Sequence, residues 1–148
     1  MNLENVSAKD WILAGVALLL LISLIALPWF SVSFGPFSAS FTATDAPDGW
    51  LGILGVLVLV ALIADLAVER LSPGTTLPSI GGSRTQTRFV LAAVAALLVA
   101  LKFLFHIHFS EFGWGFYVAV ILTAALVWLA NQARRDSLPV ADGIPVEP

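Results

Sequence analysis

Two charged side chains stand within long apolar stretches of this sequence, and they are its first candidates for chemistry. Asp65 lies in the stretch 50–68, and Lys102 lies in the stretch 89–107. An unpaired charge in an apolar environment is unfavourable, so such residues pair with one another, extend to water or serve a function. Asp65 and Arg88 therefore predict an ion pair between neighbouring helices, with a proton-relay carboxylate as the alternative role for Asp65.

Lys102 stands five residues, or about 7.5 Å, before the end of its stretch if the stretch is helical. Its side chain can extend to the surface or pair with a carboxylate from an adjoining loop, for which Glu111, Asp45 and Asp48 are the candidates. His106 is four residues further on and so shares a helix face with Lys102. The alternative is that Lys102 and His106 line an ion or substrate site.

A metal site is a further hypothesis for the two histidines of the chain. His106, His108 and Glu111 offer imidazole and carboxylate ligands, which suit zinc or copper. Two histidines separated by one residue point apart on a helix, however, and the chain has no cysteine and no HExxH motif. We therefore expect no metal, no cofactor and no catalytic residue, and interpret both histidines as interfacial side chains.

The composition indicates that these residues belong to a membrane protein. The chain has 148 residues, of which 59% are hydrophobic and 11% charged, and its mean hydropathy is +0.95. Such values exclude a soluble enzyme with a polar shell and a disordered chain, and the lack of cysteine excludes a disulfide-stapled secreted module. The formal net charge of -3 offers no basic surface for nucleic acid.

Several apolar stretches are long enough to cross the hydrocarbon core, which takes about 20 helical residues. None shows the alternation of a barrel strand, and only helices and closed barrels satisfy the backbone in lipid. The sequence therefore predicts an all-α membrane protein, a four-transmembrane-helix bundle that forms one domain over residues 1–135. The predicted spans are 11–28, 50–68, 89–107 and 113–130.

The basic residues predict the orientation, because short loops rich in Lys and Arg remain in the cytoplasm. All of them except Lys102 lie on one side of the four spans. We therefore expect a multi-pass plasma-membrane protein with its N- and C-termini in the cytoplasm. The residues on that side are Lys9, Arg70, Arg84, Arg88, Arg134 and Arg135.

The loops carry one regular pattern. Residues 30–42 alternate Phe, Val or Ala with Ser or Thr, and Gly35-Pro36 interrupts the alternation. This predicts a small extracytoplasmic β-hairpin between helices 1 and 2, which serves either as a lid over the helix ends or as a docking surface for a partner's strand. Segment 72–87 predicts a flexible cytoplasmic linker, and 136–148 predicts a disordered cytoplasmic tail.

Aromatic and small residues give two expectations about the helix surfaces. All five tryptophans fall near the predicted span ends, where an indole ring is shielded and its N–H remains hydrated. Ala92, Ala96 and Ala100 follow the small-xxx-small spacing, which predicts that the third helix packs closely on a neighbour.

Two short motifs carry a resemblance. The run ALPWF at 26–30, the Ser/Phe hairpin, the run DGW at 48–50 and the three helices that follow resemble small four-span integral membrane proteins common in actinobacteria, whose function is unknown. The resemblance implies a four-helix fold but no activity, ligand or site residue. The layout is also similar to that of animal claudins, although the claudin Trp/Cys signature is absent, so this second likeness is architectural.

These observations favour a binding function over catalysis. The leading hypothesis is a non-catalytic accessory or assembly subunit in the lipid bilayer that binds a partner membrane protein or a second copy of itself. The alternative is a small oligomeric transporter or channel that uses Lys102 and His106. Nucleic acid is not an expected partner.

Overall fold

The computed structural model of the chain describes residues 7–45, 48–72, 74, 83–105 and 112–137. Within these residues the elements are α1 (Ala8–Ala26), β1 (Phe30–Phe34), β2 (Phe37–Phe41), α2 (Gly49–Leu71), α3 (Arg84–Phe105) and α4 (Trp114–Ser137). Each helix is long and apolar enough to cross a membrane. The prediction of four span-length helices with a hairpin between the first two is therefore confirmed.

Local sequence determines where α1 begins and ends. Ser7 Oγ accepts the backbone N–H of Asp10, and the Asp10 carboxylate accepts the backbone N–H of Ser7, which forms a capping box. The helix ends at Ala26 because Pro28 disfavours helical backbone at the residue before it. Leu27 accordingly has extended backbone, with φ -91° and ψ 146°.

α3 begins earlier than the apolar pattern predicts. Ser83 Oγ accepts the backbone N–H of Gln86 at 3.1 Å, which satisfies one of the open donors of the first turn. The last four residues of the predicted linker 72–87 are therefore helical, from Arg84 onward.

α4 extends past the predicted span 113–130 to Ser137. Good helix formers such as Gln, Ala and Arg continue the helix where the hydropathy falls. Consequently the first two residues of the predicted tail 136–148 belong to α4, and the rest of that segment lies outside the described residues.

The helices form a ring in which each packs on the next and α4 packs on α1. On every helix the buried positions recur at three- and four-residue spacing, as one face of a helix requires. The remaining faces expose large apolar side chains, which suits contact with lipid. On α1, for example, the buried hydrophobic positions are Leu13, Ala17, Leu20 and Leu24.

The two ends of the bundle differ in charge. The first turns of α1 and α3 lie beside the last turns of α2 and α4, since ion pairs join them. Every described Lys and Arg except Lys102 lies in this region, which we call the charged end. The opposite end carries the β-hairpin, and we call it the hairpin end.

The hairpin is presented rather than folded down over the helices. β1 and β2 pair antiparallel along their whole length, and Gly35-Pro36 forms a two-residue turn. Gly35 has φ 59°, a left-handed backbone that favours glycine at this position. Phe34 and Phe37 face each other beside the turn and are 75% and 77% exposed.

The end of α1 explains how the hairpin base is fixed. Pro28 has no N–H, so it cannot donate to the carbonyl of Leu24 as a helical residue would. The backbone N–H of Ala43 donates to Leu24 O instead, at 3.1 Å. The indole Nε1–H of Trp29 donates to Ser23 O, also at 3.1 Å. Open carbonyls of one helix therefore anchor both sides of the hairpin.

Glycines let the returning strand approach α2 closely. A Cβ at Gly52 would overlap the carbonyl of Ala43, and a Cβ at Gly49 would overlap the carbonyl of Thr44. The backbone after β2 therefore lies directly on the first turn of α2.

Candidate functional site

Four charged side chains meet between α2 and α3 at the charged end, and we call them the Asp65 cluster. Asp65 accepts from Arg84 Nη1 at 2.5 Å and from Arg88 Nε at 3.0 Å. Arg88 also forms an ion pair with Glu69. Asp65 and Arg88 are both buried. The structure thus brings together the two residues that the sequence suggested as partners and adds Arg84 and Glu69.

The spacing of the Asp65 cluster is a signal that sequence reasoning missed. Asp65 and Glu69 are four residues apart on α2, and Arg84 and Arg88 are four residues apart on α3, so each pair shares one helix face. Two carboxylates therefore face two guanidinium groups. Because both oxygens of Asp65 accept from arginine, the arrangement is that of a clamp between two helices.

Other contacts join the remaining neighbouring helices at the charged end. They are two ion pairs and one cation–π contact, and together with the Asp65 cluster they connect all four helices in a ring. These contacts are Arg70 Nε to Asp10 Oδ2 at 3.0 Å between α2 and α1, Lys9 to Asp136 at 2.9 Å between α1 and α4, and Arg134 at 4.6 Å from the ring centre of Phe89 between α4 and α3.

Lys102 is buried at the hairpin end, with 1% of its surface exposed. Its ammonium donates to the backbone carbonyl of Asp48 at 3.1 Å and lies 5.6 Å from the ring centre of Phe30. Asp48 directly precedes α2 and has a left-handed backbone, with φ 54° and no side-chain cap to the helix. Lys102 therefore connects α3 to the start of α2 and to the base of the hairpin.

Asp45, another predicted partner of Lys102, stabilises the loop between β2 and α2. Its Oδ2 accepts from the backbone N–H of Thr42 at 2.8 Å and from the Thr42 hydroxyl at 2.9 Å. The hydrogen bond from the Thr42 backbone is the largest cause that lowers the pKa of Asp45 below its usual range, and the bond from the Thr42 hydroxyl is the next. The positive charge of Lys102 acts in the same direction.

Little room is left around Lys102. The cavity beside it measures about 10 Å³, which is barely what one water molecule needs, and its other lining side chains are apolar. In the part of the chain that the structure describes, no group of three His, Asp or Glu side chains is placed to hold a metal ion. The candidates His106, His108 and Glu111 lie outside the described residues.

Trp29 differs from the expectation of a hydrated indole. It is 1% exposed, and its ring packs edge-on against Phe116 with 5.5 Å between ring centres. The expectation is wrong for Trp29 because an open helix carbonyl, that of Ser23, takes the place of water as acceptor. The other tryptophans are exposed: Trp11, Trp50, Trp114 and Trp128.

α3 and α4 border an open apolar groove of about 1070 Å³, which we call the α3–α4 groove. Ala92 is buried, as close packing of the alanine stripe requires, but Ala96 and Ala100 line the groove instead. The prediction of close packing is thus wrong at these two positions, where bulky aromatic side chains share the lining of the gap between the helices. The aromatic residues that line the groove are Phe89, Phe103, Phe116, Tyr117 and Trp128.

Comparison of the chain with protein-family models, curated proteins and solved structures finds no match.

Proposed function

We propose that this protein is a non-catalytic accessory or assembly subunit of the plasma membrane that binds a partner membrane protein through its hairpin. The observation that carries the proposal is the aromatic pair Phe34 and Phe37, exposed at the tip of an anchored hairpin. Exposed apolar side chains on a firm support are typical of interaction surfaces, and aromatic residues contribute strongly to binding energy.

The burial of the hairpin favours docking over a lid. A lid would bury its aromatic face on the helices, whereas only Phe30 at the base is buried, where it pairs with Phe112. The whole of β2 is exposed. Among the described residues the sheet has only its two strands, so an edge remains on which a partner's strand can add.

The charge distribution supports the proposed orientation. The cations at the charged end favour the cytoplasmic side of the membrane, which supports an orientation with both termini inside and the hairpin outside. In that orientation the hairpin contacts the extracytoplasmic part of its partner.

The transporter alternative requires a hydrated path at Lys102. The described residues leave about 10 Å³ there, with the ammonium already bonded to Asp48 O. No observation favours this alternative over the accessory role.

Co-purification from native membranes tests the proposal. A tagged parent chain extracted in mild detergent is expected to retain a larger membrane protein in stoichiometric amount. Phe34→Ser/Phe37→Ser should reduce the retained partner at least about 10-fold, which corresponds to roughly 1.4 kcal/mol of binding energy. The matched control is Leu57→Ser, which alters an exposed apolar residue on α2 and should retain the partner.

Two results would contradict the proposal. One is recovery of the chain alone, even after crosslinking in native membranes. The other is undiminished partner retention by the hairpin variant.

A further inference from the structure

We infer that the α3–α4 groove binds an anionic phospholipid. An acyl chain of the lipid lies in the groove, and its phosphate lies at the charged end beside Arg134 and Arg135. This site is separate from the hairpin, and the inference does not depend on the proposed accessory function.

The length of the groove suits a lipid tail. Its lining on α3 runs from Phe89 to Phe103, which spans about 21 Å at 1.5 Å per residue. One leaflet supplies roughly half of the ~30 Å hydrocarbon core, so an acyl chain fits within the groove. Ala96 and Ala100 on α3 and Ala124 on α4 leave room between the aromatic side chains.

The closed end of the groove distinguishes a lipid tail from a helix. At the hairpin end Phe103 and Phe116 stack across the gap with 5.5 Å between ring centres, and Phe112 stacks on Phe116 at 4.4 Å. A transmembrane helix of a partner or second copy would have to continue past this aromatic barrier. An acyl chain can end beneath it.

The opposite end of the groove carries the positive charge that a phosphate requires. Arg134 lies over the ring of Phe89 and donates to Asn131 Oδ1 at 2.9 Å, and both of these residues line the groove. Arg135 follows and is exposed. Asp136 is also nearby, but its carboxylate pairs with Lys9.

Arginine is well suited to this role because its guanidinium binds phosphate through several donors in fixed geometry. Exposed Trp128 lines the same end, as is typical of a side chain at the headgroup boundary. The groove thus has an apolar lining, a closed end at the hairpin end and positive charge at the charged end. These features suit an amphiphile with one anionic headgroup.

Native mass spectrometry of the full chain tests the site. The purified protein is mixed with equal amounts of phosphatidylglycerol and phosphatidylcholine. We expect one phosphatidylglycerol to be retained with about 10-fold preference, the scale of one or two cations acting on an anionic lipid. Arg134→Gln/Arg135→Gln should remove most of this preference, whereas Arg134→Lys, which keeps the charge but not the guanidinium donors, should keep part of it.

Filling the groove provides the second arm. Ala100→Phe/Ala124→Phe should abolish retention of both lipids, while Ala61→Phe, at an exposed alanine of α2 outside the groove, should leave it unchanged.

Fluorescence quenching by phosphatidylglycerol with brominated chains tests the site without changing the groove. This lipid should quench tryptophan fluorescence more than brominated phosphatidylcholine does, and Trp128→Phe should remove the difference.

Equal retention of the two lipids in the parent would overturn the inference, as would undiminished retention when the groove is filled. A dimer that dissociates on filling the groove, with lipid retention unaffected, would assign the groove to a second copy of the chain. Quenching that does not depend on Trp128 would also count against the site.

Discussion

At the hairpin end, single residues donate hydrogen bonds to backbone carbonyls near the end of α1 and the start of α2. Pro28 offers no donor to Leu24 O, so the backbone N–H of Ala43 donates there instead, and the indole of Trp29 donates to Ser23 O. Lys102 is a second donor to the carbonyl of Asp48, which also accepts from the backbone N–H of Leu51 at 3.1 Å. In this interpretation Lys102 is a buried connector that positions the start of α2 under the hairpin.

Lys102→Met is expected to destabilise the protein by about 1–2 kcal/mol. A hydrogen bond from a charged donor contributes roughly 1.5–3 kcal/mol, and part of that is offset because Met buries no charge. Thermal unfolding in detergent measures the loss, and faster exchange of the Leu51 amide would locate it at the hairpin end. Lys9→Met, which alters an exposed ion pair, should change stability by less than about 1 kcal/mol. If Lys102→Met changed neither the stability nor the exchange of the Leu51 amide, Lys102 would not stabilise the contact between α3 and the start of α2.

At the scale of elements, the sequence predicts that the helices exist but not how they face one another. Long apolar stretches indicate spans by length alone. In lipid, however, the outward faces are as apolar as the core, so hydropathy does not distinguish exposed Leu57 from buried Leu59. Helix boundaries were missed where capping by Ser83 begins α3 among polar residues. Because the predicted span began at residue 89, Arg84 was assigned to the linker and was not expected to contact Asp65.

The Asp65 cluster is expected to be the main polar contact between α2 and α3. Asp65→Asn leaves Arg84 and Arg88 without their shared carboxylate, and removing one partner of a buried pair destabilises by about 3 kcal/mol. Asp136→Asn is the matched control, because the pair of Asp136 with Lys9 is exposed and should contribute less than about 1 kcal/mol. Unfolding midpoints of both variants in the same detergent measure the difference.

A double variant checks the assignment of the Asp65 cluster. If Arg84 acts through Asp65, Asp65→Asn/Arg84→Gln should be less destabilised than the sum of the two single variants. Additive losses, or an Asp65→Asn variant as stable as Asp136→Asn, would contradict the clamp.

At the scale of the whole molecule, composition predicted the four span-length helices, since hydropathy does not depend on side-chain packing. The orientation that charge position predicts stays a prediction. The α3–α4 groove was not predictable, because its lining combines aromatic and small side chains from two helices. The partner of Lys102 also depended on loop backbone geometry. The number of span-length helices therefore follows from the sequence alone, whereas the α3–α4 groove and the partner of Lys102 follow from packing.

The orientation gives a prediction for the molecule as a whole. The parent chain has no cysteine, so single cysteines can be introduced without a background. Ser40→Cys on the hairpin should react with a membrane-impermeant maleimide in intact cells, and Gly74→Cys should react only after permeabilisation, because the cations beside it favour the cytoplasm. Ala61→Cys, midway along α2, should remain unlabelled in both conditions. Labelling of both Ser40→Cys and Gly74→Cys from the same side would mean that α2, the helix between them, does not cross the bilayer as proposed.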